Sequence, residues 1–151
     1  MFVEEGSLFK GMSIDFMNEV GRHLIKESHH AGTFLYKKGE PADYLYILIE
    51  GRIRVILGDQ GQIALVVSNP GDALGWSSLV EHEAHTASAE CLVPCQVSKI
   101  ARDKLAEIFD NDPNSGFQFY KRLTKLFRQQ LVDTYSLIPA AHGEKRTTPG
   151  F

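Results

Sequence analysis

Between Thr33 and about Ile100, glycine and proline cut the chain into short apolar segments, and this punctuation limits the fold more than any other feature. Thr33–Lys37 reads as a strand closed by the turn signal Lys38-Gly39-Glu40-Pro41. Tyr44–Ile49 is an apolar run ended by Glu50-Gly51. In Arg52–Leu57, Ile53, Val55 and Leu57 share a face, because side chains alternate along a strand. Gly58-Asp59-Gln60-Gly61 is a hairpin connection, and Gln62–Val67 returns with Ile63, Leu65 and Val67 on one face. Asn69-Pro70-Gly71-Asp72 is a further turn. Ala87–Val93 and Cys95–Ile100 read as strands parted by Pro94, which has no N–H to donate to a ladder. Short strands at near-regular spacing predict a sandwich or barrel. Tight turns between such strands often need φ > 0, which accounts for many of the 13 glycines.

The flanks follow a helical period instead. Ser13 reads as an N-cap, with Asp15 in the first turn and Phe16, Met17, Val20 and Leu24 on one face; Gly32 ends that region. Past Ile100, Leu105, Ile108 and Phe109 share a helical face, and Asp112-Pro113 resembles an N-cap followed by proline at the first helical position. Tyr120, Leu123, Phe127, Leu131, Tyr135 and Ile138 then recur at steps of three and four until Pro139. The fold class expected is mainly β with flanking helices. Residues 1–138 form one domain, with the barrel over about 30–100 and two C-terminal helices over about 101–138, and 139–151 is a polar, aperiodic tail.

Composition removes several classes of function. Sixteen Lys+Arg against 19 Asp+Glu give a net charge of −3, where a free-standing nucleic-acid binder carries a basic excess. No apolar run approaches the roughly 18–20 residues of a membrane span, and the start Met1-Phe2-Val3-Glu4-Glu5-Gly6 lacks the pattern of a secretory signal, so a cytoplasmic location is expected. Cys91 and Cys95 sit four apart in what reads as extended chain, roughly 13 Å between Cα atoms, too far for a disulfide.

The order of these pieces resembles the cyclic nucleotide-binding domain family, of the catabolite activator and protein kinase A regulatory subunit type. Leu8-Phe9 with Met12-Ser13 is similar to the family's opening before its first helix. Gly39-Glu40-Pro41-Ala42-Asp43, then Leu45-Tyr46-Ile47 and Glu50-Gly51-Arg52-Ile53-Arg54-Val55, look like its first glycine turn and second strand pair. Pro70-Gly71-Asp72-Ala73-Leu74-Gly75 is similar to the turn into its phosphate-binding cassette, and Pro113 with the long last helix matches its C-terminal helices. The match covers about residues 8 to 137. It implies a double-stranded β-helix (jelly-roll, cupin-like) barrel with one N-terminal helical region and two C-terminal helices.

The resemblance also implies the ligand site. Gly75-Trp76-Ser77-Ser78-Leu79-Val80 and His85-Thr86-Ala87 align with the cassette, a short helix whose N-terminal N–H groups face a cyclic phosphate. The family places a glutamate after the glycine for the ribose hydroxyl and an arginine before the small residues for the phosphate. Trp76 and His85 stand at those two positions, while Thr86 and Ala87 match. A hydrogen bond to a charged group is worth roughly 1.5–3 kcal/mol, so losing two weakens binding by about two to four orders of magnitude. Weak or no cyclic AMP binding in the usual manner is therefore expected. The ligand-binding set is Gly75, Trp76, Ser77, Ser78, Leu79, His85, Thr86 and Ala87, for a cyclic nucleotide or another small anionic or planar ligand.

The long stripe predicts a homodimer helix through Phe119, Tyr120, Leu123, Phe127 and Leu131, with an unidentified effector protein reading its movement. Only about a dozen polar residues follow Pro139, so no direct DNA binding is expected, and none to a membrane. One alternative is a dimerisation scaffold without ligand. A weaker one is a cupin-like metal enzyme, disfavoured because His29-His30 are adjacent and would face opposite sides of a strand, while His82 and His85 lie in a loop. No catalytic set is recognised, and an enzyme is not expected.

Overall fold

The computed structural model describes residues 8–57, 63–80 and 83–136. The chain is mainly β-sheet with flanking helices. Helix α1 (Ile14–His23) leads into β1 (Ile25–His29), β2 (Phe34–Tyr36), β3 (Tyr44–Glu50), β4 (Ile53–Leu57), β5 (Ile63–Val67), β6 (Ala73–Leu74), β7 (Ser88–Cys91) and β8 (Cys95–Ala101). Helices α2 (Arg102–Asn111) and α3 (Pro113–Ser136) follow. The hairpin connection expected at 58–61, Ile138 and the tail expected at 139–151 lie outside the described residues.

The strands form two four-stranded antiparallel sheets, ordered β1-β8-β3-β6 and β2-β7-β4-β5. β3 reads as a continuous apolar run because both of its faces are covered. Leu45 and Ile47 join Phe9, Phe16, Val20, Leu105 and Phe119 in a core under the helices. Tyr46 and Leu48 join Tyr36, Ile53, Leu74 and Val97 between the sheets. β4 and β5 pair with Val55 opposite Leu65 and Ile53 opposite Val67, so their shared apolar face turns inward together.

The helix caps are as the sequence predicts. Ser13 Oγ accepts from the Phe16 N–H at 3.1 Å, and Asp112 Oδ1 accepts from the Ser115 N–H at 3.1 Å. The Ser13 hydroxyl also donates to Asp112 Oδ2 at 3.1 Å, tying the start of α1 to the start of α3.

Three expectations are corrected. The strands begin with β1, not near residue 30: α1 stops at His23, and Ile25–His29 pairs along β8. β1 is largely polar, and its place comes from that pairing and from Lys99, whose ammonium lies 2.5 Å from Glu27. Second, the stretch between Cys91 and Cys95 is not extended. The chain leaves β7 at Cys91 and enters β8 at Cys95, and Cys95 lies near enough, together with burial, to push the Cys91 thiol upward; both remain free thiols. Third, Phe119 and Leu123 are 0% and 4% exposed in the helical core, so they are not available to a dimer face. The apolar spacing of α3 reports that a face is covered, and in its first half Phe119 packs on Phe9 and on Phe109 of α2.

Candidate functional site

The turn at 69–72 sets up the site. Gly71 and Asp72 exchange backbone hydrogen bonds with Leu48 at 2.8 Å each, which docks the turn on β3 before β6 begins. Gly75 then takes a left-handed conformation, φ +82°, and a single 3₁₀ turn runs over Trp76–Leu79. A Cβ at Gly75 would lie 3.0 Å from the Tyr44 carbonyl oxygen and 3.3 Å from Tyr46 Cδ2. The glycine is thus required by close approach to β3, which sequence alone could not distinguish from room for a ligand. Burial pushes the Tyr36 phenol up, and the neighbouring Gly75 backbone opposes part of that push.

His85 is not a surface histidine; it is 5% exposed. Its N–H donates to Glu40 O, and its carbonyl accepts from the Gly39 N–H, both at 2.9 Å. Its ring lies flat on Tyr36, centroids 3.7 Å apart and planes 8° apart. Burial holds the imidazole below its ordinary 6.5, against the opposing pull of Glu40 and Asp43. The position that the resemblance assigns to a phosphate-pairing arginine therefore carries a neutral ring at pH 7.

Trp76 packs edge-on against Phe127 of α3, centroids 5.2 Å apart at 77°. A cavity of about 750 Å³ opens beside this contact. Its walls come from β4 and β5 (Val55, Leu65, Val67), the turn and cassette (Asp72, Gly75, Trp76, Ser77), the 85–87 segment and the second half of α3 (Leu126, Phe127, Leu131). Burial pushes the Asp72 carboxyl up, against hydrogen bonds from Asn69. Asp72 and Asp133 are the acidic groups on the wall, and no lysine or arginine lines it among the described residues. Those residues also hold no group of three His, Cys, Asp or Glu placed to bind a metal ion, and no helix among them is long and apolar enough to cross a membrane.

Of the predicted ligand set, Gly75, Trp76, Ser77, His85, Thr86 and Ala87 come together on this cavity. Ser78 and Leu79 do not. Ser78 is fully buried beneath the turn, its Oγ without a hydrogen-bond partner, and Leu79 packs on the helical core. Of the predicted dimer set, Phe127 and Leu131 line the cavity, and Tyr120 rests on Phe109 at 5.3 Å while remaining 43% exposed. Sequence reading missed Tyr36, Val55, Leu65, Val67 and Asp72 as site residues. The shared face of β4 and β5 was visible in the alternation, but alternation does not say whether a face meets core or cavity.

The sequence profile described as "Cyclic nucleotide-binding domain" matches residues 26–112. The potassium voltage-gated channel protein eag of Drosophila melanogaster is 27% identical over 136 residues, 88% of this chain and 11% of the channel. A CRP-like cAMP-activated global transcriptional regulator of Mycobacterium tuberculosis is 23% identical over 124 residues, 81% of this chain and 55% of the regulator. The chain thus spans about a tenth of the first relative and little over half of the second. A crystallised cyclic nucleotide-binding domain from Methylobacillus flagellatus shares the fold, with TM-score 0.78 at 23% identity, over 96% of this chain and 83% of that one.

Proposed function

Because the chain belongs to the cyclic nucleotide-binding domain family, we propose that it is a ligand-sensing regulatory module whose cassette is rebuilt around Trp76 and His85. The observation that carries this is the shared wall: Leu126, Phe127 and Leu131 of α3 line the same cavity as the cassette, with Phe127 against Trp76. A ligand that enters changes what α3 packs on, and differential contact of this kind is what shifts a conformational equilibrium. The strand orders β1-β8-β3-β6 and β2-β7-β4-β5 are read as a jelly-roll barrel, with residues 1–138 as one domain.

The module acts in the cytoplasm, is not an enzyme, and does not contact DNA itself; a partner protein reads α3. The exposed face of α3, with Val132 and Tyr135 41% and 43% exposed, supports a homodimer. Cyclic AMP held in the usual family manner is disfavoured by the neutral, stacked His85 and by a wall without lysine or arginine among the described residues. The same observation favours a second reading, a scaffold that no longer binds ligand.

Fluorescence of Trp76, the single tryptophan, separates the two. It is read together with a thermal-shift screen of cyclic AMP, cyclic GMP, other nucleotides, small anions and uncharged aromatics. A saturable shift with one compound supports sensing. Silence from all of them supports the scaffold. Micromolar binding of cyclic AMP overturns the discounting of the cassette.

A further inference from the structure

The cavity has a chemical character that can be read from its walls. One side is aliphatic, formed by Val55, Leu65 and Val67. Another includes Tyr36 and His85, whose rings stack on each other. The α3 side presents Phe127, set edge-on to Trp76. Such walls bury apolar surface and set aromatic side chains beside the space, a lining suited to an apolar ring system.

The charges point the same way. Asp72 and Asp133 are acidic, and burial pushes Asp72 toward its neutral form. Against the described lining, an anion would lose hydration and meet Asp72 and Asp133 but no lysine or arginine.

We infer that the cavity takes an uncharged, mainly apolar molecule with a planar ring system, in preference to a nucleotide phosphate or another anion. This rests on the cavity being the sensing site proposed above, and it names what that site senses. It departs from the anionic ligand that the resemblance suggested, because the cassette retains its glycine and small residues but not its cation.

Two probes with one ring system test the inference. N-phenyl-1-naphthylamine is uncharged, and 8-anilinonaphthalene-1-sulfonate is the same skeleton with a sulfonate. Each is titrated into the full chain, with probe emission and energy transfer from Trp76 as readouts. The expected result is saturable binding of the uncharged probe, at least about tenfold tighter than the sulfonate. Thr86→Lys then places an ammonium on the wall at an exposed position, where the fold tolerates it. That variant should narrow the preference several-fold, mainly by improving the sulfonate.

Equal or tighter binding of the sulfonate, or displacement of the uncharged probe by micromolar cyclic AMP, overturns the ligand class while leaving the sensing reading intact. A preference unmoved by Thr86→Lys places the probe elsewhere and overturns the assignment to this cavity. If neither probe nor any nucleotide binds saturably, the sensing reading fails as well.

Discussion

Gly75→Ala tests whether the cassette glycine is held by packing or by the need to admit a ligand. Its φ of +82° is left-handed, and an L side chain there costs roughly 1–2 kcal/mol. Replacing glycine also removes freedom from the unfolded chain, which returns about 0.4–1 kcal/mol. The structure adds a third contribution: the new Cβ lies 3.0 Å from the Tyr44 carbonyl oxygen, a backbone atom of a central strand that cannot swing aside. Overpacking of that sort costs roughly 1–3 kcal/mol, for a total of about 1–4.5 kcal/mol.

Gly39→Ala is the matched control, because its φ is +90° and nothing lies within 4 Å of the built Cβ. It carries the strain without the clash and should cost about 1 kcal/mol or less. Urea unfolding followed by far-UV circular dichroism, without ligand, measures both. The expected gap of about 1–3 kcal/mol corresponds to roughly 3–10 °C in Tm for a chain of this length. Equal losses within about 0.5 kcal/mol would refute the packing account and return Gly75 to a position kept for ligand approach.

The contact between cassette and α3 is tested by a double-mutant cycle on Trp76→Leu and Phe127→Leu, with an expected coupling of about 0.5–1.5 kcal/mol in unfolding free energy; no coupling would separate α3 from the cassette. The pH dependence follows from His85, held below 6.5 by burial despite Glu40 and Asp43. The unfolded chain takes up its proton first, so this share of stability falls as pH drops through about 6.5 and is fully lost below the folded value. His85→Gln should flatten the Tm profile between about pH 7 and 5, and an unchanged slope would mean the folded chain takes up this proton as readily as the unfolded one. On the dimer, Val132→Glu on exposed α3 should lower the apparent mass in sedimentation; a dimer that persists unchanged removes that face from the interface.

How far the sequence could be read depends on what each residue meets. β3 was readable because Leu45, Ile47, Tyr46 and Leu48 are buried on opposite faces and leave a continuous apolar run. β1 was not, because Lys26, Glu27, Ser28 and His29 carry no apolar signal. Their order comes from pairing with β8 and from Glu27, which burial pushes up while Lys99 and His29 bring it below the usual carboxylate range. Of the α3 stripe, Leu123 is buried and Phe127 half-buried, while Tyr120, Leu131 and Tyr135 are exposed. Spacing cannot separate residues that pack in the chain's own helical core, such as Phe119, from exposed ones, such as Val132. In the cassette, sequence showed two missing charges. It could not show that Tyr36 and Phe127, distant along the chain, fill their places with ring contacts.

Those ring contacts decide between erosion and rebuilding. A cassette that had only lost its charges would leave backbone groups and a cavity wall unsupported. Here His85 has both backbone groups bonded to the 39–40 turn and its ring stacked, and Trp76 is braced by α3. Among the described cassette residues, Ser78 Oγ is the buried side-chain atom left without a partner. Aromatic packing, unlike a phosphate-pairing arginine, is complete without ligand. It also bounds the signal: a ligand that acts only by parting Trp76 from Phe127 can bias α3 by about 0.5–1.5 kcal/mol, roughly two- to tenfold. A switch of a hundredfold or more needs differential contact as well with Leu126, next to Phe127, and Leu131, about one turn beyond it, which line the same cavity.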